Sequence, residues 1–164
     1  MLKPILHAMV EDMLVQAGQE ELTASNFYLY LQWQCERLGY YGAAKMFAGE
    51  SEDERKHFNI LARYFNDRGC TIRIPQVPEQ DTVVASLRDA IESAYAVELA
   101  LEMKYQEWYS FALQRDVTTA QFLLQFVEIQ RTSVGEFSDW LVRIDSVGDD
   151  KAGLLIIDNE MGKD

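Results

Sequence analysis

Apolar residues recur at alternating steps of three and four along four long stretches, about residues 8–38, 42–68, 84–115 and 118–147, with a weaker fifth at 150–161. That period places one apolar stripe on one face of an α-helix. The three prolines, Pro4, Pro75 and Pro78, all fall outside these stretches, so the helices run uninterrupted. Gly39 and Gly42 punctuate the first break and Gly69 ends the second stretch. Residues 115–118 join the third to the fourth, with Thr118 or Thr119 as the expected N-cap.

Connection lengths predict the topology. The first and last breaks are short, which makes those helix pairs antiparallel. Between the second and third helices, residues 69–82 are long, proline-containing and β-prone at Thr71-Ile72-Arg73-Ile74. A helix of ~27 residues is ~40 Å long, and ~14 extended residues reach ~45 Å. The connection can therefore return the chain to the other end of the bundle. The expected fold is an all-α, up-down-down-up four-helix bundle with a short fifth helix, in one domain spanning residues 1–164.

The inward seams carry the chemistry. They read Val10, Leu14, Ala17, Glu21, Ala24, Tyr28, Leu31 and Cys35 on the first helix, and Ala43, Phe47, Glu50, Glu54, His57, Leu61 and Tyr64 on the second. The third gives Leu87, Ile91, Ala94, Glu98, Leu101, Tyr105, Trp108 and Ala112, and the fourth Ala120, Leu123, Val127, Gln130, Val134, Phe137, Leu141 and Ile144. Each seam is apolar except near its middle, where a carboxylate, an imidazole or an amide takes a core position. Burying several unpaired carboxylates at one level costs several kcal/mol each. A cation removes that cost. Glu54 and His57 share one helix face, and Glu-x-x-His on a bundle helix is how carboxylate-bridged di-iron sites are built. One such Glu bridges two metals, His57 binds one, and Glu21 and Glu98 flank the pair. Carboxylate and imidazole ligands suit Fe(II), although Zn(II) and Mn(II) would also bind. Taken singly these residues have ordinary readings: Tyr28 and Trp108 as core packing, Gln130 as a hydrogen-bonded core amide, His7 as a surface residue. The coincidence of four interrupted seams at one height favours the metal.

Composition narrows the partners. A formal charge of −12 argues against a nucleic-acid groove, which needs clustered Lys and Arg, and suits cation attraction. Two cysteines make neither a disulfide framework nor a Cys-x-x-Cys knuckle, and they point to a reducing compartment. No apolar run approaches the ~20 residues of a membrane span.

With these residues in place the chain resembles the non-haem ferritins over essentially its whole length. Glu21 and Tyr28 match the family's ligand Glu and site-adjacent Tyr. The run Glu50-Ser-Glu-Asp53-Glu54-Arg-Lys-His57 resembles the segment ending in the bridging Glu and the His. Tyr95-Ala-Val-Glu98 matches the position of the second-metal Glu, Gln130 that of a site Gln, and Leu154-Leu155-Ile156-Ile157-Asp158 the short fifth helix. The resemblance implies a ferritin-like bundle and a cytoplasmic homo-oligomer forming a hollow shell of twenty-four subunits. It further implies oxidation of Fe(II) by oxygen or hydrogen peroxide at two irons per subunit, and storage of a ferric mineral.

The chain also departs from the prokaryotic pattern. Where a third iron site is built from Glu-Glu-Gln-x-Glu-Glu, it reads Glu128-Ile129-Gln130-Arg131-Thr132-Ser133, so the third site is expected to be absent. The fourth helix lacks the second Glu-x-x-His of haem-containing bacterioferritins, so no haem is assigned. Its start, Thr119-Ala120-Gln121-Phe122-Leu123, lacks the acidic residues of an iron pore. Glu50, one turn before Glu54, resembles a Glu of the cyanobacterial branch and reads as a ligand, an iron relay or a hydrogen-bonding neighbour of the site. Tyr28 reads as core or as donor of an extra electron. Two rivals stand beside this reading: another di-iron oxidase or peroxidase of rubrerythrin type, and a bundle whose seam carboxylates are structural.

Overall fold

The computed structural model describes residues 3–163, which form five helices and no strand: α1 (Ala8–Leu38), α2 (Tyr41–Asp67), α3 (Leu87–Leu113), α4 (Val117–Val147) and α5 (Lys151–Met161). Local chemistry sets the ends. His7 accepts from the Met9 amide to start α1, and Gly39, at φ 89°, ends it in the left-handed conformation that favours glycine. The third helix begins later than its apolar pattern suggested. Ser86 is extended and accepts from the Asp89 amide at 3.0 Å, while the Asp89 carboxylate accepts from the Ala85 amide at 3.0 Å. Val84 is buried in the core although it lies outside the helix, which is why the pattern ran through it.

One expected cap and one expected helix start are corrected. The N-cap of α4 is Asp116, not Thr118 or Thr119. Its carboxylate accepts both the Thr119 amide at 3.1 Å and the Thr119 hydroxyl at 3.0 Å, and a negative group is favoured at that helix end. Asp150, expected inside the fifth helix, caps it by accepting from the Ala152 amide.

Residues 70–85 form neither helix nor strand, so the β-prone Thr71-Ile72-Arg73-Ile74 stretch remains an extended strap. The strap climbs α1. Ile72 lies against Gly18, the Gln76 carbonyl accepts from Gln19 Nε2, and the Thr82 carbonyl accepts from the Tyr30 hydroxyl at 2.9 Å. A Cβ at Gly18 would come within 3.2 Å of both Ile72 and Phe58, so the close approach of strap and α2 uses the missing side chain. A strap parallel to α1 starts α3 at the end where α1 finishes, which is the up-down-down-up order.

The core falls into two apolar halves. One gathers Tyr28, Leu31, Phe47, Leu87, Ile91, Phe137 and Ile144; the other gathers Val10, Leu14, Leu61, Tyr64, Leu101, Tyr105 and Leu123. Between them lie the buried polar residues Glu21, Ser25, Glu54, Glu98 and Gln130. The α4 seam is shifted locally: Phe126 is fully buried, whereas Val127, Val134 and Leu141 are half-buried. Glu50 and Trp108, placed on inward seams, are also half-buried.

Helix α5 is latched to the bundle by a carboxylate. Tyr40, at the start of α2, offers no side-chain acceptor to the free amides there. Asp158 of α5 accepts from Gly42 N at 3.1 Å and Ala43 N at 2.7 Å instead. A Cβ on Gly42 would lie 1.7 Å from the Asp158 carbonyl oxygen, so only glycine allows this seat. No described helix is long and apolar enough to cross a membrane.

Candidate metal centre

Two serines set the register that builds the site. Ser25 Oγ donates to the Ser51 carbonyl at 2.7 Å, and Ser51 Oγ donates to the Ser25 carbonyl at 2.8 Å. This reciprocal clasp joins α1 and α2 one turn after Glu21 and one turn before Glu54. One ligand atom each from Glu21, Glu54 and His57 consequently lies within 4.8 Å of the others. His57 Nδ1 is 2.9 Å from Glu54 Oε2 and 3.4 Å from Glu21 Oε2.

Glu98 of α3 completes the polar layer from the opposite side. Gln130 of α4 donates Nε2 to Glu98 Oε2 at 2.7 Å, and the Tyr28 hydroxyl donates to Glu98 Oε1. The Tyr105 hydroxyl donates to Glu21 Oε1. One buried oxygen, Glu21 Oε2, has no hydrogen-bond partner. An unsatisfied carboxylate oxygen beside a second carboxylate and an imidazole is a cation-binding arrangement, because a buried anion without a donor is costly.

The electrostatics agree. Burial raises Glu54 to about 8 against the lowering effect of its His57 hydrogen bond. Burial and the Glu54 charge raise Glu98 to about 8, although Tyr28 and Gln130 pull the other way. Burial, then the charges of Glu98 and Glu54, raise Glu50 to about 8. Burial disfavours charged His57, but the carboxylates of Glu21 and Glu54 outweigh it and hold the imidazole at about 10. Burial and the adjoining carboxylates push Tyr28 and Tyr105 well above the ordinary tyrosine value. Burial, reinforced by the neighbouring negative charges, keeps on Glu54 and Glu98 protons that a cation would displace.

The structure thus brings Glu21, Glu54 and His57 into one compact trio, sets Glu98 and Gln130 opposite, and places Tyr28 against Glu98. Glu50 stands aside. It lines a recess of about 450 Å³ together with Lys45, Asp53, Glu136 and Trp140. Two residues of this neighbourhood escaped the sequence reading. Tyr105 read as core, yet it lies seven residues after Glu98, the same spacing that separates Tyr28 from Glu21. Glu136 is exposed and lies beyond the 128–133 run of α4, off the apolar seam, so no seam position marked it.

Known proteins share this geometry's frame. The probable non-heme ferritin-like protein of Haemophilus influenzae is 29% identical over 87% of each chain. The bacterial non-heme ferritin of Staphylococcus aureus is 24% identical over 98% of this chain and 94% of its own. The open-pore ferritin of the archaeon Archaeoglobus fulgidus superposes with a TM-score of 0.94 at 21% identity, covering 97% of this chain and 99% of that one, which is a likeness of fold. Residues 11–147, which hold every residue of the polar layer, match the ferritin-like domain. The chain belongs to the ferritin family.

Proposed function

We propose that the protein is an iron-storage subunit that binds two Fe(II) ions as substrate in the polar layer, oxidises them and passes Fe(III) to a mineral store. The observation that carries this reading is the compact trio of buried Glu21 and Glu54 with half-buried His57, Glu21 Oε2 being left without a donor in the core of a bundle. Glu21 and His57 hold the first iron, Glu98 and Gln130 the second, and Glu54 bridges the two. A shared carboxylate lets one anion offset two cations held a few Å apart. Fe(II) displaces the protons that burial holds on Glu54 and Glu98 and that the neighbouring carboxylates hold on His57. Each iron then gives one electron to oxygen or hydrogen peroxide. Tyr28 keeps Glu98 oriented toward the pair.

Glu50 relays iron between the pair and the recess it shares with Asp53 and Glu136. The working form of this reading is a homo-oligomeric shell of twenty-four copies in the cytoplasm, each copy one domain; the relatives' names as non-heme ferritins support a chain without haem. The test is aerobic addition of Fe(II). Broad near-ultraviolet ferric absorbance should grow with the native protein and be lost in Glu54→Ala. An oxidation rate no faster than that of buffer would sink the reading, and unchanged kinetics in Glu50→Ala would remove the relay.

A further inference from the structure

The oxidation just described leaves one buried tyrosine unused. Tyr105 is fully buried, and its hydroxyl donates to Glu21 Oε1. Its ring lies parallel to Phe126 with centroids 5.0 Å apart, and Phe126 meets the His57 ring edge-on at 6.0 Å. On its other side Tyr105 meets Trp108 edge-on at 5.0 Å. Trp108 is half-buried and lines a surface recess of about 360 Å³ with Met9, Met13, Glu107 and Phe111. Tyr28 has no such continuation. Its ring packs against Phe27, Phe47 and Phe137, none of which is readily oxidised.

We infer that Tyr105 and Trp108 form a one-electron relay from the Glu21 side of the metal centre to the outer surface; this rests on the ferroxidase reading. The asymmetry of the site says when it is needed. Glu21, Glu54 and His57 form the compact trio, so the first Fe(II) binds there, beside Tyr105. Hydrogen peroxide takes two electrons, and a single Fe(II) supplies one. Tyr105 supplies the second: the O–O bond breaks, Fe(II) becomes Fe(III), and Tyr105 becomes a tyrosyl radical as its hydroxyl proton passes to Glu21. That proton and one from solvent complete two water molecules. Trp108 then reduces Tyr105, which regains a proton through Glu21, and the indole loses its N–H proton at the recess. A small one-electron donor from solution, of the thiolate class, restores Trp108 as the indole takes up a proton. Without the relay, the same encounter reduces peroxide by one electron and releases a hydroxyl radical.

The experiment loads the assembled protein with one Fe(II) per subunit under argon, adds one equivalent of hydrogen peroxide, and freeze-quenches for electron paramagnetic resonance. Ring-deuterated tryptophan marks the indole signal. The native protein should show an indolyl radical. Trp108→Phe should show a longer-lived tyrosyl radical in its place, and Tyr105→Phe should show neither, with a several-fold higher yield of spin-trapped hydroxyl radical. A purely structural role for either ring would not change the identity of the radical. Normal Fe(II) oxidation with the same radical in all three proteins, or with no radical in any, overturns the relay and leaves the ferroxidase reading standing. No Fe(II) oxidation in the native protein overturns both. Should Tyr105→Phe fail to fold, the change of radical in Trp108→Phe decides the matter alone.

Discussion

Tyr28 on α1 donates its hydroxyl hydrogen to Glu98 on α3. Tyr105 on α3 returns the contact to Glu21 on α1. Each tyrosine lies two turns after the carboxylate of its own helix, and each fixes the carboxylate of the other. The bundle thus cross-braces two carboxylates of its polar layer, with α1 and α3 each holding the other's acid in place. Tyr28→Phe keeps the packed ring and removes only the donor. A buried acceptor left without a partner costs about 1–3 kcal/mol. The metal-free variant should melt roughly 2–12 °C lower, given about 2–4 °C per kcal/mol for a chain of this size. Calorimetry on the purified protein checks it; an unchanged melting temperature means that the contact holds nothing.

The two sides of the centre are unequal. Glu21, Glu54 and His57 converge within 4.8 Å, whereas Glu98 is already engaged by Tyr28 and by Gln130 at 2.7 Å. Titration with Zn(II), which binds without redox chemistry, should show two affinities per subunit. Gln130→Leu should weaken only the second, by about tenfold for a loss of about 1.4 kcal/mol. Gln130→Glu should narrow the gap, because a fourth carboxylate favours the second cation. Equal weakening of both affinities by Gln130→Leu would contradict the assignment.

Much of this centre was legible because burial is periodic. Glu21, Glu54, Glu98 and Gln130 each replace an apolar residue at a position where the helical repeat demands one, and each is buried. What stayed hidden had no such contradiction to reveal it. Tyr105 is as much a core residue as a ligand's partner, since its ring packs while only its hydroxyl reports the site. Glu136 sits on an exposed position where acids are ordinary. Phe126 displaces Val127 from the seam because the α4 face turns by one residue there, and a fixed step of three or four cannot follow that. Asp158 caps a helix more than a hundred residues earlier in the chain, and no local spacing encodes such a contact.

That distant cap makes its own prediction. Asp158→Ala leaves the amides of Gly42 and Ala43 without their acceptor, and cap removal costs about 0.5–2 kcal/mol. Gly42→Ala places a methyl group where the Asp158 carbonyl stands, so α5 must move away. Both variants should lose amide-exchange protection in α5 while α1 and α3 keep theirs. Protection of α5 equal to that of the native protein in Gly42→Ala would show that the helix is seated elsewhere.

Glu50, Glu54 and Glu98 are raised from 4.5 to about 8, chiefly by burial, and His57 from 6.5 to about 10 by its carboxylate neighbours against burial. All four shifts are upward, so between the ordinary and raised values the folded chain holds more protons than the unfolded one. Stability then falls as pH rises, because its slope follows the protons bound by the unfolded state minus those bound by the native state. For the carboxylates the contribution is complete below about 4.5 and lost by about 8; for His57 it is complete below 6.5 and lost by about 10. The metal-free protein should therefore melt lower as pH is raised across this window. A divalent cation replaces the displaced protons, so the melting-point gain on adding Zn(II) should grow with pH over the same range, and binding near neutrality should release protons that a weakly buffered titration can count. In Glu54→Gln the slope should flatten, since one of the raised acids is gone. A metal-free melting temperature that rises steadily through the window would show that the polar layer is not the crowded, proton-holding site its burial implies.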